Sequence, residues 1–359
     1  MPPLLATHAC SSQTNTACFT CRIGIGARPY IASHRMETGF MKVSSLFSTS
    51  DHHPVVVTPE ADASLDTLQG YLANESARIE ELLLQHGGIL FRGFDLKGAQ
   101  DFHNCAERLG GKPFGYVGGD SPRNRVVADV FTSTEYPATE VISLHNEMSY
   151  LPDWPTRLFF YSLIPAASGG QTSLASSRDI LQQLPQDIAD KFREKKINYI
   201  RNFQPNIPFG KSWQATYQTE DRAQVEKIAA EQGSVCTWSA DGMLRVSTRC
   251  DAVTTHPRTG EEVWFNQAEQ WHASALNPAI RGMFEQMVGK GNLPHECEYG
   301  DGEAMEEDVL AQVRKVLNRN KLLFDWQRND LLMIDNVLMM HGRESFKGER
   351  KTLAYLSST

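Results

Sequence analysis

Short runs of aromatic and β-branched residues recur along most of this 359-residue chain, and they constrain its fold more than any other feature. The strongest run is RLFFYSLI at 157–164, which consists of the residue types that strands prefer. The dipeptides Asp241-Gly242 and Thr259-Gly260 lie between such runs and predict hairpin turns. Strands are predicted at 89–94, 157–164, 197–203, 243–248, 262–266, 331–334 and 352–356. The chain is therefore predicted to be mainly β.

Helical periodicity appears between these runs. Between 64 and 86, leucine and isoleucine recur at steps of three and four residues, which predicts a helix that Gly87-Gly88 ends. Helices are predicted at 64–86, 99–109, 185–195, 221–232 and 302–317. Many short strands with a few inserted helices favour a β-sandwich or jelly roll decorated by helices.

Composition narrows the class of protein. The chain is 41% hydrophobic and 22% charged, as in ordinary globular proteins, and its net charge is −8. An acidic balance without a Lys/Arg cluster argues against nucleic acid as a partner. No window approaches the ~18 uncharged apolar residues of a membrane span, so no membrane association is expected. Seven cysteines are an odd number and favour a reduced compartment, and we expect a cytoplasmic protein.

The N-terminus differs in composition from the remainder. No Asp or Glu occurs from Met1 to Met36, while Ser, Thr, Ala, Cys and Arg recur. Residues 1–50 are interpreted as a leader that is disordered or transit-like, and residues 51–359 as a single domain. Translation could instead begin at Met36 or Met41, and a transit peptide would imply an organellar location.

Three residues are candidates for a metal site. They are His145 and Glu147 in ISLHNEM (142–148), and His341 in DNVLMMH (335–341). If 142–148 is extended, His145 and Glu147 point to one face while Asn146 points away. Two imidazoles and one carboxylate on one face of an octahedron leave three positions open, which suits non-haem Fe(II). An H-x-E tripeptide also arises by chance, so the triplet alone does not establish a site.

Two further residues strengthen the hypothesis. Thr172 ends the segment GGQT, and Arg350 lies in KGERK shortly after His341. An oxoacid chelated to iron carries a distal carboxylate, and a guanidinium beside a hydroxyl binds such a group well. Read separately, Thr172 is an ordinary strand threonine and Arg350 is part of a solvated basic turn. Neither reading explains why both accompany the candidate ligands.

The order H-N-E, G-G-Q-T, W-Q-R-N-D-L-L-M-I-D-N, H-G-R and G-E-R-K resembles the taurine dioxygenase (TauD/TfdA) family of Fe(II)/2-oxoglutarate oxygenases. The resemblance covers roughly Pro54 to the C-terminus. It implies a double-stranded β-helix, the jelly-roll variant of clavaminate synthase-like enzymes, with Fe(II) as cofactor and 2-oxoglutarate and O2 as co-substrates.

The resemblance also implies roles for individual residues. His145, Glu147 and His341 are the implied iron ligands, and Thr172 and Arg350 the implied holders of the distal carboxylate of 2-oxoglutarate. Taurine dioxygenase has Asp where this chain has Glu147, although clavaminate synthase and related amino-acid hydroxylases also carry Glu.

Two positions bear on the reaction and the substrate. The related halogenases lack the carboxylate, so keeping Glu147 favours hydroxylation. Taurine dioxygenase has a second Arg where this chain has Ala354, so taurine is not the expected substrate. Desaturation or ring formation stays open as an alternative outcome of the same chemistry.

The substrate expectation rests on a subgroup within this family. The segments YIRNF (199–203), SWQ (212–214), HPRTG (256–260) and WFNQ (264–267) resemble amino-acid hydroxylases of peptide natural-product clusters, such as the aspartyl hydroxylase of syringomycin biosynthesis. Those enzymes act on an amino acid, often tethered to a peptidyl carrier protein. The candidate substrate residues are Tyr116, Met148, Trp213, Asn266 and Gln267, with Asn266 preferred because an amide after an aromatic run can orient a polar substrate. For Trp213 and Met148, core packing is an equal alternative.

Two other classes of protein were weighed. A zinc hydrolase could use the same His/Glu/His set, but the chain has no H-E-x-x-H helix, and a hydrolase has no use for an oxoacid anchor. A non-catalytic jelly-roll binding protein is the other alternative. The presence of all three ligands and both anchor residues argues against loss of the chemistry.

Overall fold

The computed structural model describes residues 41–47, 50–115, 119, 124–133, 136–205 and 210–358. They all fall within one compact unit, Arg35–Thr359. Most of the predicted leader lies outside the described residues. Its last part includes a strand at Met41–Ser45, which pairs with the strand Val55–Pro59.

The strands, in chain order, are β1 (Met41–Ser45), β2 (Val55–Pro59), β3 (Gly88–Phe91), β4 (Lys112–Pro113), β5 (Arg125–Val127), β6 (Val130–Thr132), β7 (Ile142–His145), β8 (Arg157–Ile164), β9 (Ser168–Gly169), β10 (Thr172–Ser176), β11 (Ile197–Phe203), β12 (Ser234–Trp238), β13 (Leu244–Cys250), β14 (Val253–Thr255), β15 (Glu262–Trp264), β16 (His295–Tyr299), β17 (Leu322–Phe324), β18 (Leu331–Asp335), β19 (Met339–Arg343), β20 (Phe346–Lys347) and β21 (Lys351–Ser358). The helices are α1 (Leu65–Asn74), α2 (Ser76–His86), α3 (Ala99–Gly110), α4 (Ser177–Gln183), α5 (Gln186–Lys195), α6 (Trp213–Tyr217), α7 (Arg222–Glu231), α8 (Ala268–Trp271), α9 (Pro278–Val288) and α10 (Glu307–Asn320), with a 3₁₀ turn at Ala273–Ala275.

Two sheets form the centre of the fold. The larger has nine strands in the order β1-β2-β3-β18-β8-β21-β6-β5, with β4 also paired to β21, and the smaller has the order β17-β10-β19-β7. Neighbouring strands of the two sheets pair antiparallel, except that β2 and β3 are parallel. The predicted mainly β fold with inserted helices is confirmed.

One hydrophobic cluster joins the two sheets. Leu158 and Leu332 of the larger sheet pack in it with Leu174 and Met339 of the smaller one. Because side chains alternate along a strand, the opposite face of the larger sheet carries a second apolar set, which α1, α2 and α3 cover. The sheets are thus buried against each other, and the helices lie outside.

Helix 64–86 is predicted as one helix, but it is two. The helical path is broken at Glu75, whose φ of −107° and ψ of 21° lie outside the helical values. The predicted stop is confirmed, since Gly87 adopts the left-handed conformation with φ of 69° and donates its N–H to Leu83 O.

A third sheet, in the order β12-β13-β11-β16, lies in the part of the chain between the two metal-site motifs. Both predicted hairpins are present, since Asp241-Gly242 lies between β12 and β13 and Thr259-Gly260 between β14 and β15. No helix among the described residues combines the length and the apolar character needed to cross a bilayer.

Candidate metal centre and its pocket

The two histidines are brought together by strand pairing. His145 at the end of β7 lies directly opposite His341 on β19, and their ring centroids are 4.2 Å apart. Glu147 Oε2 lies 3.9 Å from His145 Nε2 and 3.7 Å from His341 Nε2. One ligand atom from each of the three side chains lies within 4.8 Å of the others. The structure therefore gathers the three predicted ligands at one point.

The backbone route to Glu147 differs from the prediction. The sequence argument places His145 and Glu147 on one face if 142–148 is extended, but β7 ends at His145 and Met148 has a positive φ of 58°. The chain thus turns directly after the strand. The carboxylate still lies on the same side as His145, and Asn146 points away as predicted, with its Nδ2 donating to Asn336 O at 2.7 Å.

The protonation of His145 is set by a backbone partner. His145 Nδ1 lies 2.8 Å from Ser143 O, and a carbonyl can only accept a hydrogen bond. Nδ1 therefore carries the proton, so the lone pair of Nε2 points toward Glu147 and His341. Such an arrangement of the second ring nitrogen is usual for histidines that bind metals.

Asn336 clamps the peptide of Glu147, a role that sequence analysis missed. Its Oδ1 accepts from Glu147 N at 2.8 Å, and its Nδ2 donates to Glu147 O at 3.0 Å and to Pro155 O at 2.8 Å. Asn336 in turn lies in a turn closed by Asp335, whose Oδ1 accepts from Val337 N at 2.9 Å. The Glu147 backbone is therefore held without any contribution from its own carboxylate.

Replacing Asn336 by alanine is expected to lower the affinity for Fe(II) about 10- to 100-fold, the usual cost of losing an outer-shell partner of a metal ligand. The change leaves buried groups of the Glu147 and Pro155 peptides without their partner. Titration with Fe(II) under anaerobic conditions measures the effect, and Asn318→Ala on α10 serves as the control. Unchanged affinity in Asn336→Ala would show that the clamp does not position the carboxylate.

The donor set fits the metal that the sequence indicates. Two neutral imidazoles and one carboxylate are the ligands of the facial triad that holds non-haem Fe(II). Glu147 and His341 are buried and His145 is half-buried. The Phe160 ring lies 5.2 Å from that of His341 and forms an apolar wall beside it. The residues present thus fit Fe(II).

The histidines open into a pocket that also contains both predicted anchor residues. It is lined by Ser133, Ile142, His145, Phe160, Thr172, His341, Gly342, Arg343, Arg350 and Thr352. The pocket therefore brings together four predicted residues, His145, His341, Thr172 and Arg350, and Glu147 lies beside the two histidines. Thr172 on β10 is buried, and its Oγ1 accepts a hydrogen bond from Trp326 Nε1 at 2.9 Å. Because Trp326 donates to the Thr172 oxygen, the hydroxyl proton of Thr172 is able to bind a different acceptor.

Arg350 is a half-buried cation with a neutral partner. Its Nε donates to Gly170 O at 3.2 Å, and no carboxylate among the described residues forms an ion pair with it. Burial, together with the nearby charge of Arg343, lowers the pKa of Arg350 to about 10. A desolvated guanidinium of this kind strongly favours an incoming carboxylate.

The predicted substrate residues that the structure describes lie outside this pocket. Asn266 is buried, its Nδ2 donates to Ala252 O at 2.9 Å, and its Oδ1 accepts from Ala268 N at 3.1 Å. Trp213 begins α6 and packs on Trp238, with ring centroids 5.3 Å apart, in the cluster beside the third sheet. Met148 is buried in the core, and Tyr116 lies outside the described residues. None of Asn266, Trp213 and Met148 lines the pocket described above.

Gln267 contacts the backbone between His145 and Glu147 and does not line the pocket. Its Nε2 donates to Asn146 O at 2.7 Å, and its Oε1 accepts from Trp271 Nε1 at 3.3 Å. In this structure it therefore supports the turn between His145 and Glu147.

Comparison with known sequences decides the family. Residues 49–356 match the family described as taurine catabolism dioxygenase TauD, TfdA family. The chain belongs to the TauD/TfdA family. The family resemblance and the assignment as a dioxygenase that depends on Fe(II) and 2-oxoglutarate are thereby confirmed.

Two sequence relatives of this TauD/TfdA protein span nearly its whole length. The dapdiamide synthesis protein DdaC of Enterobacter agglomerans is 34% identical over 308 residues, which are 86% of this chain and 92% of DdaC. A clavaminate synthase-like protein of Arabidopsis thaliana is 30% identical over 332 residues, which are 90% of this chain and 95% of the relative.

Solved structures support the same fold at low sequence identity. PvcB of Pseudomonas aeruginosa superposes with a TM-score of 0.54 at 14% identity, covering 92% of this chain and 95% of PvcB. AAD-2, in complex with Mn(II) and N-oxalylglycine, gives a TM-score of 0.52 at 12% identity, covering 89% of this chain and 98% of AAD-2. The predicted jelly-roll fold is confirmed.

Proposed function

We propose that this TauD/TfdA dioxygenase hydroxylates an unactivated C–H bond of an amino-acid substrate in natural-product biosynthesis, and that His145, Glu147 and His341 are its iron ligands. Arg350 and Thr172 hold the distal carboxylate of 2-oxoglutarate. The observation that carries the proposal is the convergence of the three donor atoms within 4.8 Å, beside a pocket that the two histidines line together with the half-buried cation Arg350.

Each side chain has a distinct task in this arrangement. The His145 and His341 rings present their Nε2 atoms beside Glu147 Oε2, so that all three donors meet on one side of the site. Arg350 and the Thr172 hydroxyl bind and orient the far end of the oxoacid. Fe(II), when bound, supplies the reaction with dioxygen, for which amino-acid side chains have no equivalent.

The substrate class is supported by similarity, and the type of reaction by the site. DdaC, a relative at 34% identity, is named for dapdiamide synthesis, and Glu147 keeps the carboxylate that favours hydroxylation. The partner is a small molecule, and we propose that it is an amino acid, free or tethered to a peptidyl carrier protein. Succinate formation is measured with free amino acids and with the same residues loaded on a carrier. Stimulation by one form identifies the substrate, and no stimulation by either contradicts an amino-acid substrate.

Replacing Thr172 by valine is expected to raise the KM for 2-oxoglutarate about fivefold to tenfold, because one hydrogen bond of about 1 kcal/mol is lost. Valine keeps the branched shape, so the packing of β10 is retained. Thr172→Ser keeps the hydroxyl and is the matched control. Steady-state kinetics with varied 2-oxoglutarate give the values, and equal KM in Thr172→Val and the parent protein would remove the hydroxyl from the anchor.

A further inference from the structure

Arg343 lines the same pocket as Thr172 and Arg350 and brings a second guanidinium to it. It ends β19, two residues after His341, and is only 6% exposed. Strand pairing places it opposite Thr172 on β10 and Ile142 on β7. It therefore lies where the metal-bearing strands meet the residues proposed to hold 2-oxoglutarate.

The hydrogen bonds of Arg343 to described residues all go to one turn. Nη1 donates to Tyr136 O at 3.1 Å, and Nη2 donates to Pro137 O and Glu140 O, each at 2.7 Å. The turn is also bonded internally, since Glu140 N donates to Pro137 O at 3.1 Å. Residues 136–140 are called here the carbonyl turn. Three of their carbonyl oxygens thus accept hydrogen bonds from the planar guanidinium of Arg343.

The carbonyl turn leads directly into β7 and so into His145. The carbonyl turn also contacts β20, where Phe346 N donates to Ala138 O at 2.8 Å. The Phe346 ring in turn lies 5.0 Å from the Arg343 guanidinium and 5.7 Å from that of Arg350. Through these contacts, the carbonyl turn that precedes β7 is connected to Arg350.

We propose that Arg343 is a positioning residue of the co-substrate pocket, which ties the carbonyl turn to Phe346 and Arg350 so that His145 and the anchor keep one spacing. The proposal rests on the proposed function and deepens it. The planar shape of the Arg343 guanidinium is needed as well as its charge, because the group donates to three carbonyl oxygens at once. A lysine ammonium is a point charge and does not reproduce that geometry.

The test combines amide hydrogen exchange with kinetics on the full chain. Arg343→Lys keeps the charge and loses the fork, and Arg343→Met loses both. Arg350→Ala removes the anchor alone, and Arg319→Lys on the exposed end of α10 is the matched control. Exchange is followed at the amides of Glu140 and Phe346, a readout that does not depend on activity.

We expect both Arg343 variants to speed exchange at these amides about tenfold and to raise the KM for 2-oxoglutarate about tenfold, as the loss of charge-assisted hydrogen bonds predicts. Arg350→Ala is expected to raise the KM without changing the exchange. The proposal is wrong if Arg343→Lys behaves as the parent protein, or if exchange quickens while the KM stays constant. An unchanged KM in Arg350→Ala contradicts the proposed anchor instead, so the two failures are distinguishable.

Discussion

Replacing Glu147 by alanine is expected to abolish succinate formation and to lower the affinity for Fe(II) by more than about 100-fold, since even outer-shell partners cost about 10- to 100-fold. The carboxylate is the only anionic member of the candidate triad, with its Oε2 less than 4 Å from both imidazoles. Without it, two neutral rings remain to hold a divalent cation.

The fold is expected to survive this change. The backbone of Glu147 is held by the Asn336 side chain, so the turn after β7 does not depend on the carboxylate. Anaerobic Fe(II) titration, succinate assay and thermal unfolding are measured together. The exposed Glu140→Ala is the matched control, because Arg343 binds the main-chain oxygen of Glu140, which alanine keeps. Retained Fe(II) binding in Glu147→Ala would remove this residue from the ligand set.

Replacing Arg350 by alanine is expected to have the second-largest effect, a rise of about 30-fold to 1,000-fold in the KM for 2-oxoglutarate, equivalent to about 2–4 kcal/mol of lost charge-assisted hydrogen bonding. The guanidinium is half-buried, donates to the neutral Gly170 O and lies near the charge of Arg343, and burial lowers its pKa because water solvates it incompletely. A carboxylate therefore gains more from it than from an exposed arginine.

An oxoacid without the distal carboxylate separates the anchor from other effects of this change. With 2-oxobutyrate, the parent protein and Arg350→Ala are expected to show similar KM values, since the group that Arg350 binds is missing. Fe(II) affinity is also expected to be unchanged. Equal KM values for 2-oxoglutarate in the two proteins would contradict the anchor assignment.

Patterns of local residue type predicted the main strands well. β8 and β11 have the predicted bounds, because aromatic and branched residues dominate β8 and recur along β11. The helix break at Glu75 was missed, since leucine periodicity continues on both sides of it. α9 was missed as well, and none of its residues is buried, so no apolar stripe faces the core there.

Only the part of the candidate site that lies in recognisable sequence motifs was predictable. The H-x-E and H-G-R segments identified the candidate ligands, and the register of β7 with β19 places the two histidines opposite each other. Asn336 and Trp326 were not identified as site residues, because their bonds to Glu147 and Thr172 join positions 189 and 154 residues apart. The substrate residues stay a prediction. Both the Nδ2 and the Oδ1 of Asn266 form hydrogen bonds with backbone groups.

The most direct test of the account adds Fe(II) and then 2-oxoglutarate to the metal-free protein without oxygen and records the visible spectrum. Chelation of the oxoacid by iron on this triad is expected to produce a weak visible absorption band, which is absent with Fe(II) alone and in His341→Ala. No band in the folded parent protein, at saturating Fe(II) and 2-oxoglutarate, would contradict the assignment of His145, Glu147 and His341 as the iron site.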